Sequence, residues 1–458
     1  MHTDTIAAIA TPVGIGSIGV IRISGNDAFK IADKIFVGAD KKTIASAPTH
    51  TIKYGHIVDS SNKVIDEVMV SIMRAPRTFT AEDTVEISTH GSPLIMQKVL
   101  LCALNAGARM ARSGEFTKRA FLNGRIDLSR AEAVIDVIHA DSDASLSNAL
   151  NRLDGGLLYE IEKIREPLLY VSAQFAAQVD YPDDDIADLS EDSLRKTLTN
   201  AIDMCSSLLN SAESGRIAKE GIACVLSGRP NVGKSSLLNA LSNSQRAIVT
   251  DIEGTTRDII EQSITLDGVT LRLFDTAGIR NAGDDVEKIG VDRSKDCIKG
   301  ADVVFVLFDN SSAITDEDKE ILLLTENKKR IIVINKSDLE QKLDTSELEK
   351  LSSGSSIVNI STKTGEGIDE LMNMVSKMYN LGAITSSSSL VSNMRHVEAL
   401  NEARNSLCAA LDTLNCGMPM DMCTIDVSSA LEHLGLITGA TVSVDIVDKI
   451  FAHFCVGK

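Results

Sequence analysis

The chain has 458 residues, a net charge of -18 and a pI near 4.9, which leaves room for about three domains but excludes a general nucleic-acid coat, because phosphate binding needs clustered Lys and Arg. With no Trp and only 3% aromatic residues, a base-stacking platform for single strands is excluded as well. The eight cysteines (Cys102, Cys205, Cys224, Cys297, Cys408, Cys416, Cys423 and Cys455) show no C-x-x-C spacing, so they read as reduced thiols rather than a zinc site or a disulfide framework.

The first stretch, Met1-His-Thr-Asp-Thr, carries no positive n-region, and no run approaches the length of a membrane span; neither a signal peptide nor a membrane anchor is expected. Residues 1–118 read as a small α/β domain. Its predicted strands are Ile18–Ser24, Val64–Met73 and Thr84–Ser88, punctuated by Gly and Pro, and a helix is predicted from Pro93 to Leu104. From 119 to 215 the pattern turns helical, as in Leu128–Ile138 and Leu157–Val179, broken by the acidic run Asp180-Tyr-Pro-Asp-Asp-Asp-Ile186, which reads as a solvated loop.

Residues 216–379 alternate strand and helix, the pattern of an α/β domain with mostly parallel strands. Ser263–Leu266 and Val269–Phe274 flank Asp267-Gly268, a hairpin signal, so these two neighbours are predicted to be antiparallel. Ile222–Leu226, Val303–Phe308, Ile331–Ile334 and Ile357–Ile360 supply further strands. Residues 380–458 return to helical spacing over Val391–Leu414 and Ser428–Phe454. One helical domain built from 119–215 and 380–458, with the α/β domain inserted, accounts for both helical stretches.

Gly228-Arg-Pro-Asn-Val-Gly233-Lys234-Ser235 fits G-x-x-x-x-G-K-[ST] and lies between an apolar strand and a helical run, the setting in which backbone amides wrap nucleotide phosphates. Asn231, Val232 and Gly233 would line the phosphates, Lys234 would reach the β and γ groups, and Ser235, followed by Ser236, would ligate magnesium. Asn335-Lys336-Ser337-Asp338 follows another apolar strand. The Asp338 carboxylate can accept from guanine N1-H and its amine together, which adenine cannot offer, so GTP is the expected nucleotide. Ser361-Thr-Lys363 would help hold the base.

Asp275-Thr276-Ala277-Gly278 supplies D-x-x-G, with Asp275 directed to magnesium through water and the Gly278 amide to the γ-phosphate. Thr255 and Thr256 stand where a switch loop places a magnesium-binding threonine. Ile279 follows Gly278, and isoleucine cannot orient an attacking water; the acidic run Asp284-Asp285-Val-Glu287 is the nearest substitute.

These motifs, with Gly254-Thr-Thr-Arg-Asp258, the run Gly114-Glu-Phe-Thr-Lys-Arg-Ala-Phe-Leu-Asn-Gly-Arg-Ile-Asp-Leu128 and the ending Cys455-Val-Gly-Lys458, resemble the MnmE (TrmE) family of tRNA-modification GTPases over the whole chain. The resemblance implies a cytoplasmic or organellar homodimer, here cytoplasmic, whose N-terminal domain binds a 5-formyl- or 5,10-methylene-tetrahydrofolate. It also implies assembly with the flavoprotein MnmG (GidA) into a heterotetramer that modifies carbon 5 of the tRNA wobble uridine.

By the same resemblance, Asn231, Thr250, Ile252 and Thr255 would hold a potassium ion in the role of an arginine finger, and Glu287 would act on the attacking water through a second water. Arg22, Glu86, Arg125 and Lys458 match folate-pocket positions; Arg125 stands where the family often has lysine. Cys455 would act near the one-carbon unit or the uridine. A competing expectation from a different class is a ribosome-assembly GTPase that binds rRNA as a switch. Such proteins usually carry a basic appendage, and the acidic balance of this chain weighs against one.

Overall fold

The computed structural model describes residues 4–180, 190–242, 261–275, 296–352, 354–386, 391–452, 454 and 457. The chain divides into two compact units, one made of Met1–Ile135, Arg152–Ile202 and Glu402–Lys458, the other of Asp136–Asn151 and Asp203–Asn401. The divisions fall inside the helices Leu128–His139, Asp143–Leu153, Glu191–Asn210 and Met394–Asn415 rather than in loops.

The first unit holds a seven-stranded sheet. Its strands are β1 (Ile6–Ile9), β2 (Ile18–Ser24), β3 (Phe36–Gly38), β4 (Thr51–Val58), β5 (Val64–Met73), β6 (Thr84–His90) and β7 (Arg109–Met110), in the order β3-β4-β5-β6-β2-β1-β7. Neighbours are antiparallel except β1 and β7. Alternation along β1 explains why it is buried on both faces. Ala7 joins the core under the helices Ala28–Ile35 and Pro93–Asn105, whereas Ile6 and Ala8 pack with Ala111 and Phe116 on the other side.

Helix Pro93–Asn105 turns Met96, Val99, Leu100 and Ala103 inward, while its apolar Leu94 and Leu101 are 60% and 55% exposed. The helix is seated closely, since a Cβ on Gly19 of β2 would stand 2.2 Å from Met96 Sδ. The helical part of this unit includes Glu115–Leu122, Gly156–Asp180, Cys423–Thr438 and Val444–Phe451. The expected helical run Ser428–Phe454 is therefore two helices. Gly439, at φ 91, ends the first in the left-handed conformation that glycine adopts without penalty. Val447, Phe451 and Phe454 then pack on Leu128 and Ala131.

The second unit holds a six-stranded sheet of β8 (Ile222–Ser227), β9 (Glu261–Leu266), β10 (Val269–Asp275), β11 (Val303–Asp309), β12 (Arg330–Asn335) and β13 (Ser356–Asn359). The order is β13-β12-β11-β8-β10-β9, all parallel apart from the β9–β10 hairpin. Asp267 and Gly268, at φ 47 and 80, make the turn expected from their sequence. Near-continuous apolar runs suit a sheet covered on both faces: Cys224, Leu226, Phe305 and Val333 enter one core, and Val225, Val304, Val306 and Ile332 the other. The segment Asp136–Asn151 is held to this unit by Lys219 on Asp136 (3.0 Å), Thr270 Oγ1 donating to Asp141 (2.8 Å) and Ala144 N donating to the Gly268 carbonyl (3.1 Å).

Candidate nucleotide-binding site

In the second sheet β8 has β10 on one side and β11 on the other, so the chain switches direction at the carboxyl end of β8. Crevices at such switch points bind ligands. The loop leaving β8 carries Gly228 to Gly233 and opens helix Lys234–Ser242. Gly228 is in place because a Cβ there would meet the Leu307 carbonyl oxygen at 2.7 Å. Asn231 adopts φ 64 and Gly233 φ 103, turning the loop back on itself above a buried Val232. Lys234 is buried and donates from Nζ to the carbonyls of Gly228 (2.6 Å) and Arg229 (2.9 Å). Ser235 and Ser236 are exposed in the first helical turn, and helix N-termini favour anions.

Asn335, 1% exposed, ties this loop to the sheet edge. Its Nδ2 donates to the Val232 carbonyl at 2.8 Å, and its Oδ1 accepts from Thr362 N at 3.1 Å. Lys336, at φ 66, donates to the Asn231 carbonyl (3.1 Å) and pairs with Asp309 (2.6 Å). Asp309 ends β11 at the same edge and was not singled out from the sequence; its place directly after an apolar strand was the available signal. Burial raises the Asp309 pKa, but bonds from Lys336 and Ser311 outweigh it and leave the carboxyl below its ordinary range.

Asp338 is exposed, and its Oδ1 accepts from the buried Ser361 hydroxyl at 2.7 Å. Ser361 Oγ in turn accepts from Thr364 N at 3.2 Å. The carboxylate is thus oriented by the loop after β13, on which Lys363 is exposed. Asp275 closes β10 in register with Leu226 of β8. The remaining expected residues of this site, Thr250, Ile252, Thr255, Thr256, Thr276, Ala277, Gly278 and Glu287, lie outside the described residues.

A second group forms on the first unit. Arg22 of β2 and Glu86 of β6 are register partners joined by a 2.8 Å ion pair. Arg22 also donates to the Gly457 carbonyl at 3.3 Å. Its guanidinium lies 5.4 Å from the Phe79 ring centre, and that of Arg125 lies 5.2 Å from the same ring, within cation–π range. Arg125 further donates to the Phe79 carbonyl at 2.8 Å. Two of the four expected folate positions, Arg22 and Arg125, therefore meet at one aromatic ring, and a third, Glu86, pairs with Arg22. Phe79 was not read from the sequence, where it is a single aromatic residue between two strands.

The run Phe79 to Glu82 is held from below. Asn123 Nδ2 donates to the Thr80 carbonyl at 2.7 Å, and Arg119, 1% exposed, bridges Glu82, Glu115 and Asp4 at 3.2, 3.1 and 2.9 Å. Lys458 and Cys455, together with the neighbouring His453, lie outside the described residues.

Residues 5–125 match the family model "GTP-binding protein TrmE N-terminus", and residues 128–455 match "MnmE helical domain". The chain is 47% identical over 459 residues to the tRNA modification GTPase MnmE of Ligilactobacillus salivarius, covering 99% of this chain and 98% of that protein. The chain belongs to the MnmE family. The Bacillus subtilis member is 45% identical over 458 residues, covering 99% of this chain and all of its own length. The G domain of the T. maritima FeoB iron transporter is 32% identical over 35% of this chain and 98% of its own; at a TM-score of 0.27 that likeness adds nothing to the MnmE assignment. Among the described residues no helix is long and apolar enough to cross a membrane.

Proposed function

We propose that this chain is a potassium-stimulated GTP hydrolase that works with the flavoprotein MnmG on tRNA. Together they place an aminomethyl or carboxymethylaminomethyl group on carbon 5 of the wobble uridine, using a tetrahydrofolate one-carbon unit. The observation that carries the reading is Asn335, which joins the phosphate loop through Val232 to the loop of Ser361, the residue that orients the Asp338 carboxylate. The loop proposed to hold phosphate and the loop proposed to hold guanine are thereby joined through one side chain.

Within these loops, Asn231, Val232 and Gly233 present backbone amides to the phosphates, and Lys234 places its cation beside them. Magnesium, held by Ser235 and Thr256, and potassium, held by Asn231, Thr250, Ile252 and Thr255, would neutralise charge that grows on the phosphates in the transition state. The close fit around Gly233 suits such a cradle, since the space a Cβ would need is taken by Asn335. Asp275 would reach magnesium through water, Thr276 and Ala277 would contribute to nucleotide binding, the Gly278 amide would meet the γ-phosphate, Glu287 would act on the attacking water, and Asn335, Lys336, Asp338, Ser361 and Lys363 would hold the base.

Arg22, Glu86, Arg125 and Lys458 bind the folate, and Cys455 acts near the transferred carbon. The carboxylate of Glu86 suits the donor-rich pterin edge, and the arginines suit the glutamate end. We assign 1–118 as the folate and dimerisation domain, 119–215 with 380–458 as the helical domain and 216–379 as the GTPase domain. The working form is a cytoplasmic homodimer, paired with MnmG.

The test is GTP hydrolysis in potassium against sodium buffer at equal ionic strength, which separates site binding from screening, on the intact chain and on Asn231→Ala. Faster turnover in potassium that the variant loses supports the reading. Equal rates in both salts overturn the potassium assignment and favour an rRNA-binding assembly switch.

A further inference from the structure

Arg125 serves two environments. It stacks on Phe79 beside Arg22, and it also lines a separate cavity of 380 Å³ with Arg130, Arg165, Asp127, Glu162 and Gly439. The walls come from the turn after helix Glu115–Leu122, from helices Leu128–His139 and Gly156–Asp180, and from the turn that ends Cys423–Thr438. Four separate stretches of chain thus converge on three guanidinium groups.

The charges in this cavity do not balance. Glu162 is taken by Arg165 at 2.6 Å. Asp127 uses Oδ1 to accept from Ser129 N and Arg130 N at the start of its helix, and its Oδ2 stands 4.0 Å from Arg130 Nε. Arg130 is itself anchored to the carbonyls of Leu153 (2.8 Å) and Asp154 (3.2 Å). No carboxylate among the described residues pairs with Arg125. Burial, and then the charge of Arg130, push the Arg125 pKa down, as expected of a cation crowded by another without an anion between them.

We infer that this cavity receives the carboxylates of a polyglutamate tail on the folate whose pterin end lies at Glu86. The inference rests on the folate reading above and names the form of substrate taken. A guanidinium fork matches a carboxylate in two parallel hydrogen bonds. Arg125 meets the first glutamate of the tail, and each added glutamate brings one more carboxylate toward Arg130 and Arg165. A folate tail is favoured over a nucleic-acid backbone because Arg125 joins this cavity to the Phe79 ring on which Arg22 also stacks.

The experiment is equilibrium binding of 5-formyl-tetrahydrofolate as the monoglutamate and as the pentaglutamate, at fixed ionic strength, to the full chain. The pentaglutamate is expected to bind roughly tenfold more tightly, a step of about 1.4 kcal/mol. Arg165→Gln should remove most of that advantage while the monoglutamate affinity and GTP hydrolysis stay within about twofold. Glu162→Gln, which frees Arg165 from its competing carboxylate, should widen the advantage, so the two variants move in opposite directions and loss of folding cannot imitate the pair. Equal affinities for the two ligands in the unaltered chain would overturn the tail site and leave the folate reading standing. Failure of the monoglutamate to bind at all would overturn both. Arg165→Gln that weakened tRNA binding without changing the preference between the two folates would assign the cavity to RNA phosphate instead.

Discussion

Gly233 and Asn335 occupy a space too small for one more methyl group: a Cβ on Gly233 would stand 2.2 Å from Asn335 Nδ2, the atom that donates to the Val232 carbonyl. Gly233→Ala should therefore displace Asn335 as well as strain a backbone at φ 103. Asn335→Ala leaves the Val232 carbonyl and the Thr362 N-H without their partner, at a cost of about 1–3 kcal/mol. Both variants should lose GDP affinity by at least about tenfold in a fluorescent-nucleotide titration, and Asn335→Ala should also lower the urea midpoint.

Asp338 is the residue proposed to set nucleotide choice. Replacing its carboxylate with an amide turns one acceptor into a donor while Ser361 Oγ, now at 2.7 Å from Oδ1, can still bond the side chain. Asp338→Asn should lose GTP hydrolysis at micromolar GTP and gain it with xanthosine triphosphate, which presents an acceptor where guanine has its amine. Unchanged preference for GTP would remove Asp338 from base recognition.

Arg119 is buried with three carboxylates around it. Arg119→Met should destabilise the chain by about 3–5 kcal/mol, because Glu82 is left without its cation and Glu115 keeps only Arg109. Lysine should rescue little, as one ammonium cannot reproduce the fork. The effect depends on pH. Burial pushes the Glu115 carboxyl up, but Arg109, Arg112 N-H and Arg119 outweigh it and hold the folded pKa below the ordinary value. The stabilisation is therefore present above the unfolded pKa and is lost as pH falls through the folded one. Urea midpoints from pH 7 down to 3 should fall for the unaltered chain and fall less for the variant.

His90 behaves in the opposite sense. Its Nδ1 lies 2.7 Å from Asp66, whose hydrogen bond and charge raise the imidazole pKa, with a further contribution from Glu67. The pair stabilises the fold below the unfolded histidine pKa, near 6.5, and the contribution is lost as pH rises through the folded value. An NMR titration should show His90 with a midpoint above about 6.5, and Asp66→Asn should bring it down.

Thiol chemistry separates the cysteines. Burial raises the Cys224 pKa well above its ordinary value, and Cys205 and Cys423 are also buried, whereas Cys408 and Cys416 are exposed. Among the described cysteines, alkylation of the native chain followed by peptide mapping should label Cys408 and Cys416 first and spare Cys205, Cys224 and Cys423 until denaturant is added.

Much of the nucleotide site was legible because its chemistry is local. Gly228, Gly233 and Lys234 sit in one short loop, and Asp338 follows its strand by three residues. Long apolar runs such as Val303–Phe308 also name buried strands directly. Less was legible on the first unit. β4, Thr51–Val58, mixes polar and apolar residues around Gly55, where a Cβ would meet the Val37 carbonyl oxygen at 2.2 Å; the reason for that glycine is a neighbouring strand, which no local pattern reveals. Phe79 likewise gains meaning only when Arg22 and Arg125, 103 positions apart, meet over its ring. Asp309 ends an apolar strand without any motif to mark it, and its partner Lys336 comes from the next strand's loop.

The contact between Arg22 and the Gly457 carbonyl sets the order in which the chain can become itself. The first unit is assembled from three segments, and Asp203–Asn401 emerges between the second and the third. At a synthesis rate of about 5–20 residues per second, those roughly 200 intervening residues take roughly 10–40 s to appear. During that interval the sheet of β1 to β7 is on hand without its closing helices, while β8 to β13 can settle among themselves. The second unit is thus free to mature on the ribosome before the first is complete, and a nascent-chain experiment should find nucleotide binding ahead of any contact at Arg22.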